Sequence, residues 1–199
     1  MEIVLLLLLG IPLCGGALLG VLGNRRWAPE FGVGTSLATF LAAMAVTAGV
    51  LRDGPAKMFE GQFFIDPFNV VLVAITSFVA LTTAIFSRPY MRIEAERGKV
   101  KAGALRLYHA MFQVFTFTML LALTTNNMGI LWVALEAGTL STVLLVSLYR
   151  TPEAIEAAWK YFILCSVGIA QALFGTILLY FAAEKVLGPG GNALLWTHL

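Results

Sequence analysis

Glu136 stands in the run GILWVALEAGTLSTVLLVSL and is the only charged residue between Asn127 and Tyr149. Ionisable groups inside a membrane are costly and usually mark a proton or ion path. The carboxylate lies about 13 residues before Tyr149, roughly 20 Å at 1.5 Å per residue, too deep for a short side chain to reach the headgroups. A cation or water beside it would decide its charge, and either suits a group that takes up and releases protons. Thr139, one turn along on the same face, is placed to help solvate it. The competing reading is a structural carboxylate hydrogen-bonded to a neighbouring helix.

Lys160, in IEAAWKYFILCSVGIAQALFG, is the second such residue. It falls about eight residues into the next apolar run, roughly 12 Å deep. Glu156, four residues earlier, offers a helical ion pair, and a lysine stem can also snorkel to the interface. The estimated depths of Glu136 and Lys160 differ by about 8 Å, which favours a link through water or a polar side chain over direct contact. Gln171, eleven residues after Lys160 on the same face, would extend a polar track or be satisfied structurally. His109, near a helix end, is either an interfacial residue or a proton shuttle.

Around these residues the chain needs apolar elements long enough to cross a bilayer. Of its 199 residues, 59% are hydrophobic and 12% charged, against about 25% charged in ordinary soluble domains. Six windows approach the ~20 residues that a spanning helix needs: 3–22, 31–51, 67–87, 108–125, 128–148 and 153–183. Backbone polar groups in hydrocarbon must pair within their own segment, so the expected fold is an all-α integral membrane protein. The apolar N-terminus lacks a positive start and reads as a retained helix rather than a signal peptide. Asp66-Pro67 and Thr151-Pro152-Glu153 carry the cap-then-proline chemistry of helix starts. Gly188-Pro189-Gly190-Gly191 ends regular structure, leaving 184–199 as a tail. Thr124-Thr125-Asn126-Asn127 joins two antiparallel neighbours tightly.

Basic residues concentrate in alternate connections. Arg25 and Arg26 fall in the first, Arg88 to Arg106 in the third and Arg150 in the fifth, while the fourth has no charge. The positive-inside rule then places those connections in the cytoplasm and both termini outside. The segment 88–106 is expected to be a basic cytoplasmic loop. It is either a topology determinant or a docking surface for a partner or anionic headgroups.

Several chemistries are excluded. A net charge of +2 does not suggest nucleic acid. Two cysteines, Cys14 and Cys165, and two histidines, His109 and His198, supply neither a disulfide framework nor a metal-ligand set. No phosphate-binding glycine loop and no Gly-Xaa-Ser-Xaa-Gly turn occurs, and no cofactor is expected.

The blocks TTNN, WVALEAGTLSTVLLV and EAAWKYFILCSVG, with FIDPFNVV and SRPYMRIEAERG upstream, resemble a known family. It comprises the antiporter-like, proton-conducting membrane subunits of respiratory complex I, Mrp antiporters and energy-converting hydrogenases, and the likeness is greatest to its hydrogenase-4 branch. The resemblance implies that Glu136 is a core proton-translocating glutamate and Lys160 an electrostatic tuner. It implies other membrane subunits of a hydrogenase or complex I-like oxidoreductase as partners, a cell inner membrane location, and redox chemistry on those other subunits. Family members run to about fourteen helices in two inverted repeats, so these residues correspond to the N-terminal part of that fold. No His-Xaa-Trp-Leu-Pro-Asp-Ala-His segment follows. A structural or assembly subunit and an Mrp-like cation/proton antiporter subunit are the alternatives.

Overall fold

The computed structural model describes residues 1–23, 25, 27–188 and 191–199, with the backbone only of Gly191 and Asn192. Arg26, Pro189 and Gly190, named above for charge and helix ending, lie outside the described residues. Six long apolar helices form: α1 (Glu2–Leu22), α2 (Ala28–Asp53), α3 (Pro67–Glu96), α4 (Ala102–Thr124), α5 (Met128–Val146) and α6 (Pro152–Leu187). Each is long and apolar enough to cross a bilayer. The chain is a multi-pass membrane protein.

The helix starts obey local chemistry. Asp66 accepts a hydrogen bond from the Asn69 amide at 2.8 Å, with Pro67 in the first turn of α3. Thr151 accepts from Ala154 at 3.2 Å ahead of Pro152. Asn127, read from sequence only as part of a tight turn, caps α5 by accepting from Gly129 at 2.8 Å and Ile130 at 3.2 Å.

The expected loop 88–106 is mostly helix: α3 continues through Pro89 to Glu96, α4 begins at Ala102, and 97–101 alone connects them. Hydropathy ends where the hydrocarbon ends, but backbone hydrogen bonding does not. The extension of α3 is held by Glu30 on α2, which takes Arg88 at 2.6 Å and Arg92 at 3.4 Å. Glu94, 5% exposed, turns inward and takes Lys99 at 3.5 Å and Arg97 at 3.8 Å. A second departure is a hairpin between α2 and α3, β1 (Ala56–Met58) against β2 (Phe63–Ile65), antiparallel with Lys57 opposite Phe64. Phe59, Glu60 and Gly61, all at positive φ, turn it.

Helices α1 to α4 pack as a bundle; α5 joins it through α4, and α6 packs along α5. Contact between α1 and α4 is close because Gly16 lacks a side chain. A Cβ there would lie 3.1 Å from Val114 Cγ2 and 3.2 Å from the Ala110 carbonyl oxygen. The main apolar core (Leu5, Leu8, Val46, Val50, Ile65, Val70, Val73 and Leu120) gathers at the hairpin end. The same end holds the α4–α5 turn and the tail, where Asn126 links both to the hairpin. Its Nδ2 donates to Gly61 O at 2.8 Å and Thr197 Oγ1 at 3.0 Å, while its Oδ1 accepts from Thr197 N at 3.2 Å. Met1 also lies at this end, since Glu2 accepts from the Phe59 amide at 3.5 Å. The opposite, basic end carries Arg88, Arg92, Lys99, Lys101 and Arg150.

Candidate functional site

Near the middle of α5, Glu136 is half-buried, and among the described residues it has no ion-pair or hydrogen-bond partner. One face of α5, with Ala134 and Gly138, packs on α4, where Gly138 admits the Thr118 hydroxyl. Glu136 precedes Gly138 by two residues, about 200° round the helix axis, so it points nearly opposite to that seam. Trp132, one turn earlier, leans on α6 and donates its Nε1–H to Ile169 O at 2.8 Å. That bond fixes α6 beside the glutamate at mid-helix.

Thr139 does not serve Glu136 as expected. It is buried, and its hydroxyl donates to Leu135 O at 3.1 Å. A helical threonine finds the carbonyl four residues back before it finds a side chain.

Lys160 pairs with Glu156 on the surface of α6, their side chains 71% and 64% exposed. The uncharged run 161–183 that follows Lys160 is about 35 Å long, against a hydrocarbon layer of ~30 Å. Gln171 is exposed on the same face, eleven residues on and about 20° round. Both point away from α5, whose contact with α6 runs through Ala158 and Ile169. Lys160 and Gln171 thus share a face, and the fold does not bring either to Glu136.

His109 is half-buried on α4 near the basic end, where its ring meets Tyr108 edge-on at 5.3 Å. It lines a recess of about 360 Å³ with Arg25, Arg88 and Arg92. A small void of about 10 Å³ connects the same wall to Gln113, because His109, Arg88 and Pro29 line both. Gln113 is 1% exposed; its Nε2 donates to Gly32 O and Ser36 Oγ, each at 3.0 Å. Its Oε1 has no partner among the described residues. A 10 Å³ void is about the size that admits one water. Sequence reading passed over Gln113, although an amide amid HAMFQVFTF was a visible signal. Glu94 was missed too, being counted with the basic segment around it. Among the described residues no cluster of histidine, cysteine and carboxylate groups is arranged to hold a metal ion.

Residues 125–187, from the α4–α5 turn to the end of α6, match the family described as "NADH:quinone oxidoreductase/Mrp antiporter, TM". Glu136 and Lys160 fall inside that segment. The chain is 45% identical over 164 residues to a hydrogenase-4 component F homolog of Methylacidiphilum infernorum, covering 82% of this chain and 34% of that one. It is 29% identical over 194 residues to NADH-quinone oxidoreductase subunit L of Mycobacterium tuberculosis, covering 87% of this chain and 29% of that relative. The fold matches a chain of the membrane-bound sulfane sulfur reductase, an archaeal respiratory membrane complex. The TM-score is 0.76 at 20% identity, over 93% of this chain and 38% of that one. The chain therefore spans about a third of the length of these relatives. On the matched α5–α6 segment, the relatives and the six-helix fold together, the chain belongs to the antiporter-like family of membrane subunits.

Proposed function

We propose that this chain works as an antiporter-like subunit of a hydrogenase-4 or complex I-type membrane oxidoreductase, and that Glu136 takes up and releases protons in its transport path. One observation carries the reading: a lone carboxylate at mid-helix, about 12 Å along α5 from Met128 and 20 Å from Tyr149, within the matched segment. Such a group is retained at a cost of several kcal/mol unless it is used or partnered.

The work is divided among three features. Trp132 positions α6 against α5, Glu136 holds the proton, and the open face of α6 with Lys160 and Gln171 meets the elements that complete the path. Lys160 acts there as an electrostatic tuner, its charge biasing groups on the elements packed against that face. Electron transfer takes place on other subunits and drives the change of charge state through electrostatics. The basic end lies on the cytoplasmic side of the inner membrane, as the distribution of lysine and arginine favours.

Glu136→Gln tests the reading, because it keeps size and shape while removing the titrating proton. In proteoliposomes containing the whole complex, the variant is expected to keep electron transfer and assembly but lose most of the coupled proton uptake, followed with a pH-sensitive dye. Proton pumping at the parental rate would overturn the role given to Glu136 and favour a structural or assembly subunit.

A further inference from the structure

Where α5 turns into α6, the two helices flank an open apolar recess of about 720 Å³. Leu140, Val143 and Leu144 line it from α5, and Ile155, Trp159 and Phe162 from α6. At its end stands Arg150, which also lines a second recess of about 410 Å³ together with Lys99, Lys101 and Tyr149. Among the described residues, Arg150 is the one common to the two linings, and neither lining includes an acid. It sits there because the turn Ser147–Tyr149 ends on Arg150 in the left-handed region, at φ 52°, before Thr151 caps α6. Lys99 is engaged by Glu94 at 3.5 Å. Arg150 and Lys101 have no acid within ion-pair reach among the described residues.

We propose that this junction binds one anionic phospholipid, with an acyl chain in the apolar recess and the phosphate between Arg150 and Lys101. Two recesses meeting at a guanidinium reproduce, in order along the membrane normal, the polarity of such a lipid. The apolar volume lies within the ~300–1,000 Å³ typical of small-molecule sites. A transmembrane helix from a neighbouring subunit would satisfy the apolar part alone and leave the two cations without a counter-charge. A phosphodiester satisfies both, and basic pockets between membrane helices recognise anionic headgroups in this way. The inference is independent of whether Glu136 moves protons.

The test uses the whole complex reconstituted in vesicles of phosphatidylcholine with a minor fraction of phosphatidylglycerol. The photo-reactive residue p-benzoylphenylalanine replaces Phe162 in the recess or, as control, exposed Phe174 further along α6. After illumination, adducts are identified by mass. At 162, phosphatidylglycerol adducts should exceed their share at 174, and Arg150→Gln should lower that excess about five-fold, the factor for one basic residue at a membrane surface. Arg150→Lys should retain most of it. If Arg150→Gln fails to insert, adducts at 174 are lost too, and Lys101→Gln then supplies the comparison. A cross-link from 162 to another subunit in place of lipid overturns the proposal. So does absence of adducts at 162 while 174 yields them, or a lipid profile equal to that at 174.

Discussion

Replacing Asn126 with Ala should loosen the hairpin end of the molecule by an amount that can be worked out in advance. The side chain makes three hydrogen bonds, at 2.8, 3.0 and 3.2 Å, to Gly61 and Thr197, and the residue is 3% exposed. Intramolecular hydrogen bonds contribute about 0.5–1.5 kcal/mol each net, so the loss of these three should cost roughly 2–4 kcal/mol. Thr197 is half-buried, so water can replace part of its lost pairing, which places the expectation toward the lower end. The two backbone bonds of the same residue, from Asn126 N to Gln62 O at 2.7 Å and from Trp196 N to Asn126 O at 2.8 Å, remain available. The hairpin and tail should therefore stay in place but open more often. For a chain of this size about 2–4 °C accompanies each kcal/mol, giving a fall in the unfolding midpoint of roughly 5–15 °C for the purified protein in detergent. Hydrogen exchange at the Trp196 amide should accelerate in parallel, while the basic end stays unchanged. A midpoint within about 1 °C of the parent, with undiminished protection at Trp196, would refute the argument, since a cost below ~0.5 kcal/mol is inconsistent with the loss of three part-buried bonds.

Two further outcomes follow from packing and exposure. Gly16→Ala places a methyl group 3.2 Å from the Ala110 carbonyl oxygen, so α1 and α4 must separate slightly; the expected loss is about 1–3 kcal/mol, read as a lower unfolding midpoint. Lys160→Ala removes one partner of an exposed pair and should shift the midpoint of the isolated chain very little, since such pairs contribute at most ~1 kcal/mol. In the assembled complex the same change should alter the pH dependence of proton uptake, and an unchanged profile would remove Lys160 from the transport path.

What could be read from the residues was what depends on near neighbours. Six apolar stretches gave six helices because the membrane makes hydropathy and helix formation nearly the same question. Asp66 and Thr151 cap as their neighbours suggest, because a cap needs only the next three residues. The ends of α3 and α4 were not legible. They depend on Glu30 reaching Arg92, 62 residues away in sequence, and on Glu94 folding inward. The hairpin, with three residues to a strand, was too short to leave a periodic pattern. At the candidate site, the depth of Glu136 came from counting, but its facing did not. Facing depends on which side of α5 packs on α4, and Gly138 against Thr118 decides that. Thr139 was assigned to the glutamate because the two lie on one side of the helix, and the nearer carbonyl of Leu135 takes its proton instead.

The Asn126 junction also sets an order of events during biogenesis. Its partner Thr197 lies 71 residues further along the chain, and at ~5–20 residues per second a ribosome delivers that residue about 4–14 s after Asn126. Until then the turn between α4 and α5 can close on Gly61 and Gln62 alone. Only a chain in which α6 has already crossed the membrane can bring Thr197 to the correct side. Closure of this junction between Asn126 and Thr197 therefore comes last, after all six helices are in place.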